Sequence, residues 1–357
     1  MRFYSICLFA LVFAQISPIG AAGSSAPGNL TIAAVGDVMM GSDFPEPLLP
    51  PDKGKGLLRD AKSFLQQADI AMANLEGPMC DGGSPAKQPK PGVTYLFRVP
   101  PEFAANLKGA GVNMVSLANN HALDFGLSCH QKTKTVLKDA GITFSSKKGE
   151  VAEFDIRGSR VGILALSFGT PPRSIVYPKQ ALAEVAQASK RYDVLILTVH
   201  AGAEGRQAMH VRDGDEYFLE TPRGNLVRFA HDAIDNGADL VIAHGPHVPR
   251  GMELYRGRLI AYSLGNFCTY GGINVSRENG YAPLLLVNLG HKGVFTGGRI
   301  VSFLQKPLRG PRLDPRQRAF SLISRLTKSD FPDSGLSYTD KGEFFPVTRP
   351  ITADRGK

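Results

Sequence analysis

Met114–Gly126, MVSLANNHALDFG, begins as a short apolar strand, turns through Asn119 and Asn120 into His121, and resumes with Asp124 ahead of a helical run. A turn where a buried strand gives way to a helix lies at the strand's carboxyl end, the edge at which open α/β sheets hold their ligands. Asparagine has a plain use in such turns, because its side chain bonds nearby backbone and tolerates the left-handed conformation. That use accounts for one Asn, not for the histidine that follows two of them. Three other apolar runs end the same way: LTIAAVGD at Asp37, DVLILTVH at His200, and DLVIAHGPH at His244 and His247. Asp69 to Leu75 reads as a further strand that delivers Glu76. The recurrence predicts one pocket at the carboxyl ends of several strands, gathering Asp37, Glu76, Asn120, His121, His200, His244 and His247, with Asp124 placed to orient the His121 ring.

Outward from that stretch, helix and strand alternate along the chain. Leu57 to Gln67, Pro101 to Leu107, Leu127 to Ala140, Lys179 to Lys190 and Asn225 to Asp235 read as helices, with lysines 132, 134 and 138 on a solvated face. Pro78 to Pro101 is rich in proline and glycine and reads as a long surface loop of the kind used for binding. Val151 to Ile156 with Val161 to Ser167, Gly251 to Tyr255 with Leu259 to Ser263, and Ala282 to Leu289 with Val294 to Leu304 read as antiparallel pairs. Asp314 and Pro315 look like a cap and first residue of a helix running to about Lys328, and a loose tail is expected beyond Asp330. Alternation with added antiparallel pairs favours an α/β sandwich of two packed sheets flanked by helices.

Composition excludes disorder: of 357 residues, 43% are hydrophobic and 20% charged. Residues 1–22 carry Arg2, an apolar run from Ile6 to Ile16 and the small residues Gly20, Ala21 and Ala22. That is the layout of a cleavable secretory signal, and the apolar run of about a dozen residues is too short to span a membrane. Without it, Cys80, Cys129 and Cys268 remain, enough for one disulfide and with no C-x-x-C spacing. The net charge of +9 favours polyanionic partners. Mixed carboxylate, amide and imidazole donors suit Mn, Zn or Fe, one ion or two, while the shortage of thiols argues against iron-sulfur chemistry.

GDVMMG, NLEGP, LANNHALDFG, HAGAE and HGPHVPRGMELYRGRLIAYSLGNF occur in that order between Gly36 and Phe267. In this the chain resembles the bacterial capsule synthesis proteins linked to poly-γ-glutamate, the CapA family, in the calcineurin-like metallophosphatase superfamily. The resemblance implies a four-layer α/β/β/α sandwich of the metallo-dependent phosphatase type over about 29–310, between a signal peptide at 1–22 and a C-terminal helix and tail at 311–357. It implies Asp37, Glu76, Asn120, His200, His244 and His247 as metal ligands, with Glu76 where a bridging aspartate usually sits, and His121 as the group that protonates a leaving group. The chain departs from the superfamily at three points. Met39 stands where a histidine is usual, His-x-x-His replaces His-x-His, leaving open whether His244 or His247 stands outside the ligand shell, and Ala201 replaces a tryptophan. Two functions follow. One is an exported, periplasmic or extracellular, metal-dependent hydrolase, phosphoesterase-like or cutting γ-glutamyl amide bonds, in the biosynthesis or processing of a capsule polymer. The other is an accessory protein that binds an anionic polymer such as poly-γ-glutamate without cutting it. Envelope-assembly proteins are further partners, membrane association is left open, and no nucleic-acid partner is expected.

Overall fold

The computed structural model describes residues 29–88, 94–169 and 171–347, so the expected signal segment lies outside the described residues. In Leu30–Met39 (β1), alternate side chains enter two different cores, as the period of two requires. Ile32 and Ala34 face a second sheet, whereas Ala33 and Val35 face helices. Parallel to β1 run Ile70–Leu75 (β2), Met114–Ser116 (β3) and Thr143–Ser145 (β4). Helices Lys62–Leu65 (α1), Ala104–Ala110 (α2) and Gly126–Asp139 (α3) bury Leu65, Leu107 and Leu137 against their outer face.

The second sheet begins with the hairpin Ala152–Ile156 (β5) and Ser159–Ser167 (β6), followed by Val194–His200 (β7). Beyond a small separate hairpin, Glu216–Phe218 (β8) and Thr221–Gly224 (β9), it is completed by Leu240–His244 (β10), Met252–Tyr255 (β11) and Arg258–Ala261 (β12), in the order β11-β12-β10-β7-β6-β5. Its four central strands are parallel, so His200 and His244 lie opposite each other at their carboxyl ends. Ile163, Ile196, Leu240 and Ile242 meet the residues of β1 and β2 between the sheets, and Leu195, Leu197 and Val241 turn outward. Pro178–Ala188 (α4) and Leu226–Asp235 (α5) cover that outer face. Asn225 caps α5, its side chain accepting from Arg228 N at 3.0 Å. The layers are therefore helix, sheet, sheet, helix, a mixed α/β fold with two packed sheets.

The chain then returns to the first sheet. Asn266–Thr269 (β13) lies parallel beside the end of β1, Tyr281–Leu289 (β14) runs antiparallel along its beginning, and Phe295–Leu304 (β15) follows, with Arg312–Leu313 (β16) at its end. The expected helix near Asp314 starts later, at Arg318–Asp330 (α6), because the Asp314 carboxylate accepts from the backbone of Arg316 and Arg318 and holds a turn ahead of it. The expected tail is in part a hairpin, Leu336–Tyr338 (β17) and Glu343–Pro346 (β18), which extends the first sheet and buries Leu336 and Phe344 against Ile323 of α6. Lys134 is buried, not solvated, its ammonium 2.8 Å from the Glu150 carboxylate. Among the described residues no helix is long and apolar enough to cross a membrane.

Candidate metal centre

Asp37 is placed by the glycine before it. A Cβ on Gly36 would stand 1.8 Å from the Gly265 carbonyl oxygen, so only glycine lets β1 approach the turn into β13 this closely. Asp37 N donates to Gly265 O at 2.8 Å, and Asp37 Oδ1 accepts from Asn74 Nδ2 at 2.9 Å. The other oxygen, Oδ2, lies 3.1 Å from His247 Nδ1. His247 follows the turn at Gly245 and itself takes φ 57°, a conformation uncommon for a side-chain-bearing residue and one that recurs at functional sites. It is held there by Asn266, whose Oδ1 lies 3.0 Å from His247 Nδ1 and whose amide donates to the His247 carbonyl at 3.1 Å. His247 Nε2 is 3.7 Å from Glu76 Oε1, and donor atoms of Asp37, Glu76 and His247 all fall within 4.8 Å of one another.

Asp37 Oδ2, both Glu76 carboxylate oxygens, Asn120 Oδ1, His200 Nε2 and His244 Nδ1 are buried with no hydrogen-bond partner. Leaving such an atom unpaired costs about 1–3 kcal/mol, more for a charge. Hard oxygens and imidazole nitrogens of this kind fit a divalent cation, and those of Asp37, Glu76 and His247 lie close enough together to share one. The cluster balances charge within itself. Burial, with Asp37 beside it, raises Glu76 well above the usual carboxylate range. Burial also opposes ionisation of Asp37, but the His247 ring and its charge 3.1 Å away bring it down to about 2. Burial works against a charged His247, yet Glu76 and Asp37 outweigh it and push the ring up to about 10. Burial holds His200 well below its ordinary value and His244 at about 4, so both are neutral imidazoles, the form that ligates metals.

His200 Nδ1 lies 3.3 Å from Asn74 Nδ2, which links it to Asp37. His244 Nε2 is 3.1 Å from Thr198 Oγ1, one strand over. The His-x-x-His spacing thus sends the two rings to different partners, His247 to the carboxylates and His244 to Thr198. Met39 supplies no nitrogen at its position: its sulfur faces its own loop, accepting from Gly41 N at 3.3 Å. Asn119 plays the turn-shaping part, donating to Asn74 Oδ1 and Leu75 O and accepting from His121 N.

His121 Nδ1 is 2.7 Å from Asp124 Oδ2 and its Nε2 is 4.0 Å from Glu76 Oε1. A buried carboxylate accepts, so Nδ1 carries the proton toward Asp124 and Nε2 faces the cluster. Asp124 also accepts from Phe97 N at 2.9 Å and from Lys87 Nζ at 3.2 Å, and the Phe97 ring lies 4.5 Å from that of His121. The long proline-rich loop is therefore docked on the same carboxylate that orients His121. A disulfide between Cys80 and Cys129 ties that loop to α3, and Cys268 is buried and free.

A cleft of about 490 Å³ opens over the cluster, lined among others by Tyr95, Phe97, His121, Glu204, Phe218 and His247. Sequence reasoning passed over Asn74, Asn266, Glu204 and Arg223 as site residues. Asn74 and Asn266 close apolar runs just as the chosen residues do, a signal that was present. Arg223 lies in a polar stretch with no period, and nothing local marks it.

Comparison with known proteins adds the following. The family described as bacterial capsule synthesis protein PGA_cap matches residues 31–270. The PGA biosynthesis protein CapA of Bacillus subtilis is 23% identical over 291 residues, covering 77% of this chain and 72% of its own. The capsule biosynthesis protein CapA of Bacillus anthracis is 26% identical over 252 residues, 67% of this chain but only 59% of its own length. Among solved structures, the 5'-nucleotidase precursor of Thermus thermophilus aligns with a TM-score of 0.41 at 14% identity, over 84% of this chain and 59% of that one. A purple acid phosphatase from yellow lupin aligns with a TM-score of 0.36 at 11% identity, over 78% and 52%.

Proposed function

The chain belongs to the bacterial capsule synthesis family PGA_cap, and on that premise we propose that it is an exported, metal-dependent hydrolase acting in the biosynthesis or processing of a capsule polymer of the poly-γ-glutamate type. The observation that carries the reading is the set of buried, unpaired donor atoms on Asp37, Glu76, Asn120, His200 and His244, beside His247. These residues would hold one or two Mn, Zn or Fe ions, and a bound ion would supply an activated water and polarise the scissile group. The chain's own residues do the rest. Asp124 fixes the His121 ring at 2.7 Å through Nδ1–H, so that a ring protonated at both nitrogens gives its Nε2 proton to the departing atom. The docked loop and Phe97 shield that proton from bulk water, and the polymer lies in the cleft beside Tyr95 and Phe218. Export is supported by the disulfide, a bond that persists in oxidising compartments, and by the layout of residues 1–22; the mature chain from cell envelopes is expected to begin after Ala22, by mass spectrometry.

A second reading, a polymer-binding accessory protein without turnover, is favoured by one observation, the absence of a ligand nitrogen at Met39. Metal analysis of the protein dialysed against Mn²⁺, Zn²⁺ or Fe²⁺, with hydrolysis assayed on poly-γ-glutamate and on a phosphomonoester, tests both. Bound cation with cation-dependent turnover is the expected result. Bound cation without turnover on either substrate places the accessory reading ahead, and no bound cation refutes the centre.

A further inference from the structure

Glu204 is the carboxylate that faces the cleft from outside the cluster. It follows β7 in a turn that is fixed from several sides: Ala203 N donates to Glu216 at 2.8 Å, the fully buried Arg250 donates to Ala203 O at 3.1 Å, and Gly205 N donates to Pro246 O at 2.8 Å. One oxygen, Oε1, accepts from Arg223 Nη2 at 2.7 Å. Arg223 is only 6% exposed, its guanidinium lies over Phe168 at 4.0 Å and Phe218 at 5.1 Å, and its Nε and Nη1 have no hydrogen-bond partner. The buried cation thus commits its hydrogen bonding to holding Glu204. The other oxygen, Oε2, comes 4.0 Å from His247 Nε2 on the cleft side. Glu204 is not among the residues whose donor atoms lie within 4.8 Å of one another, so it is not one of that ligand group.

A carboxylate fixed at the mouth of a metal site repels an incoming anion and accepts from an incoming N–H or O–H. The cleft offers little to offset that repulsion. Among the described lining residues there is no lysine, and each cation already meets a carboxylate, Arg206 that of Glu278 and His247 those of Asp37 and Glu76. We propose that Glu204 is a specificity-determining residue that excludes phosphate dianions and selects an uncharged reacting group bearing a hydrogen-bond donor, the amide class. The proposal rests on the metal-site reading above for the identity of the cleft, and it separates the amide from the phosphoester branch of that reading.

The test is calorimetric titration of inorganic phosphate into the Mn²⁺-treated protein, for the wild type, Glu204→Gln and Glu204→Asp, with bound manganese and thermal midpoint measured on each. Glu204→Gln keeps the shape and an acceptor for Arg223 and removes only the charge. It is expected to bind phosphate at least about tenfold more tightly than the wild type, since a like charge placed against an anion suppresses its binding. Manganese content is expected to stay unchanged, and Glu204→Asp to stay within about threefold of the wild type because the charge remains. Equal phosphate affinity in wild type and Glu204→Gln overturns the proposal. Loss of manganese in Glu204→Gln also overturns it, by making Glu204 a ligand. Tight phosphate binding by the wild type overturns it without any variant. Failure of every protein to take up manganese sinks the metal centre alone, and the phosphate ratio between variants still decides Glu204, because its repulsion does not depend on the ion.

Discussion

The two ends of the same strands differ in how their polar groups are satisfied. At the amino ends, a hollow of about 710 Å³ is lined by residues such as Tyr192, Asp193, Asp239, Arg258 and Lys292. Its carboxylates are spoken for: Asp239 accepts from Leu195 N at 2.8 Å and lies 3.1 Å from Arg258, and Asp193 accepts from Arg160 N at 2.8 Å. At the carboxyl ends the cleft is smaller, about 490 Å³, yet the atoms beneath it are buried and unpaired. Volume therefore points to the wrong end of the sheets. Unsatisfied polarity, which a folded chain tolerates only where something else will satisfy it, points to the end with the chemistry.

The largest effect on this contrast is expected from Asp37→Ala. It removes a carboxylate that meets both Asn74 and His247, so bound cation and any hydrolysis should fall below detection in metal analysis and turnover assays; retention of both would detach Asp37 from the centre. Next comes His121→Ala, expected to lower turnover by about 10²–10⁴ while metal content is nearly retained. Full turnover in that variant would reject His121 as the proton donor.

How much of this contrast could be read beforehand depended on where the signal was written. The strand ends were legible because an apolar run that stops at Asp37, His200 or His244 states both a buried strand and a polar group at its edge. The sandwich followed from alternation, which assigns Ile32 and Ala33 to opposite faces without knowledge of partners. What escaped was set by contacts distant in sequence. Arg223 acquires its meaning from Glu204 and two aromatic rings, and Lys134 is buried because Glu150 comes to it from 16 residues away. The hairpin at Leu336–Pro346 is short and half polar, and its strands exist because the edge of the first sheet and α6 are there to receive them.

The loop over the carboxyl edge is held by the link between Cys80 and Cys129, 49 residues apart. Replacing both with serine is expected to cost about 2–4 kcal/mol in urea unfolding, and unchanged stability would show that the loop's other contacts, such as Met79 N with Thr133 and Arg98 with Asp43, suffice to dock it. The smallest effect belongs to the amino edge. Burial raises the pKa of Asp239 above its model-peptide value of 3.8, its bonds to Leu195 N and Arg258 offsetting only part of that. A raised folded value means that the native state holds the proton longer than the unfolded chain, so this contribution is fully present below pH 3.8 and is lost as pH rises through the folded pKa. Asp239→Asn is expected to flatten that part of the stability profile in urea titrations from pH 3.5 to 7, leaving metal content untouched. An unchanged slope would contradict the burial argument.

The central claim, that the carboxyl edge is a metal centre, is tested most directly by anomalous diffraction at the manganese edge from crystals grown with Mn²⁺. A peak is expected among Asp37 Oδ2, Glu76 Oε1 and His247, where donor atoms lie within 4.8 Å of one another, and none in the amino-end hollow. A protein that crystallises free of manganese, or a peak that avoids Asp37 and Glu76, would contradict it.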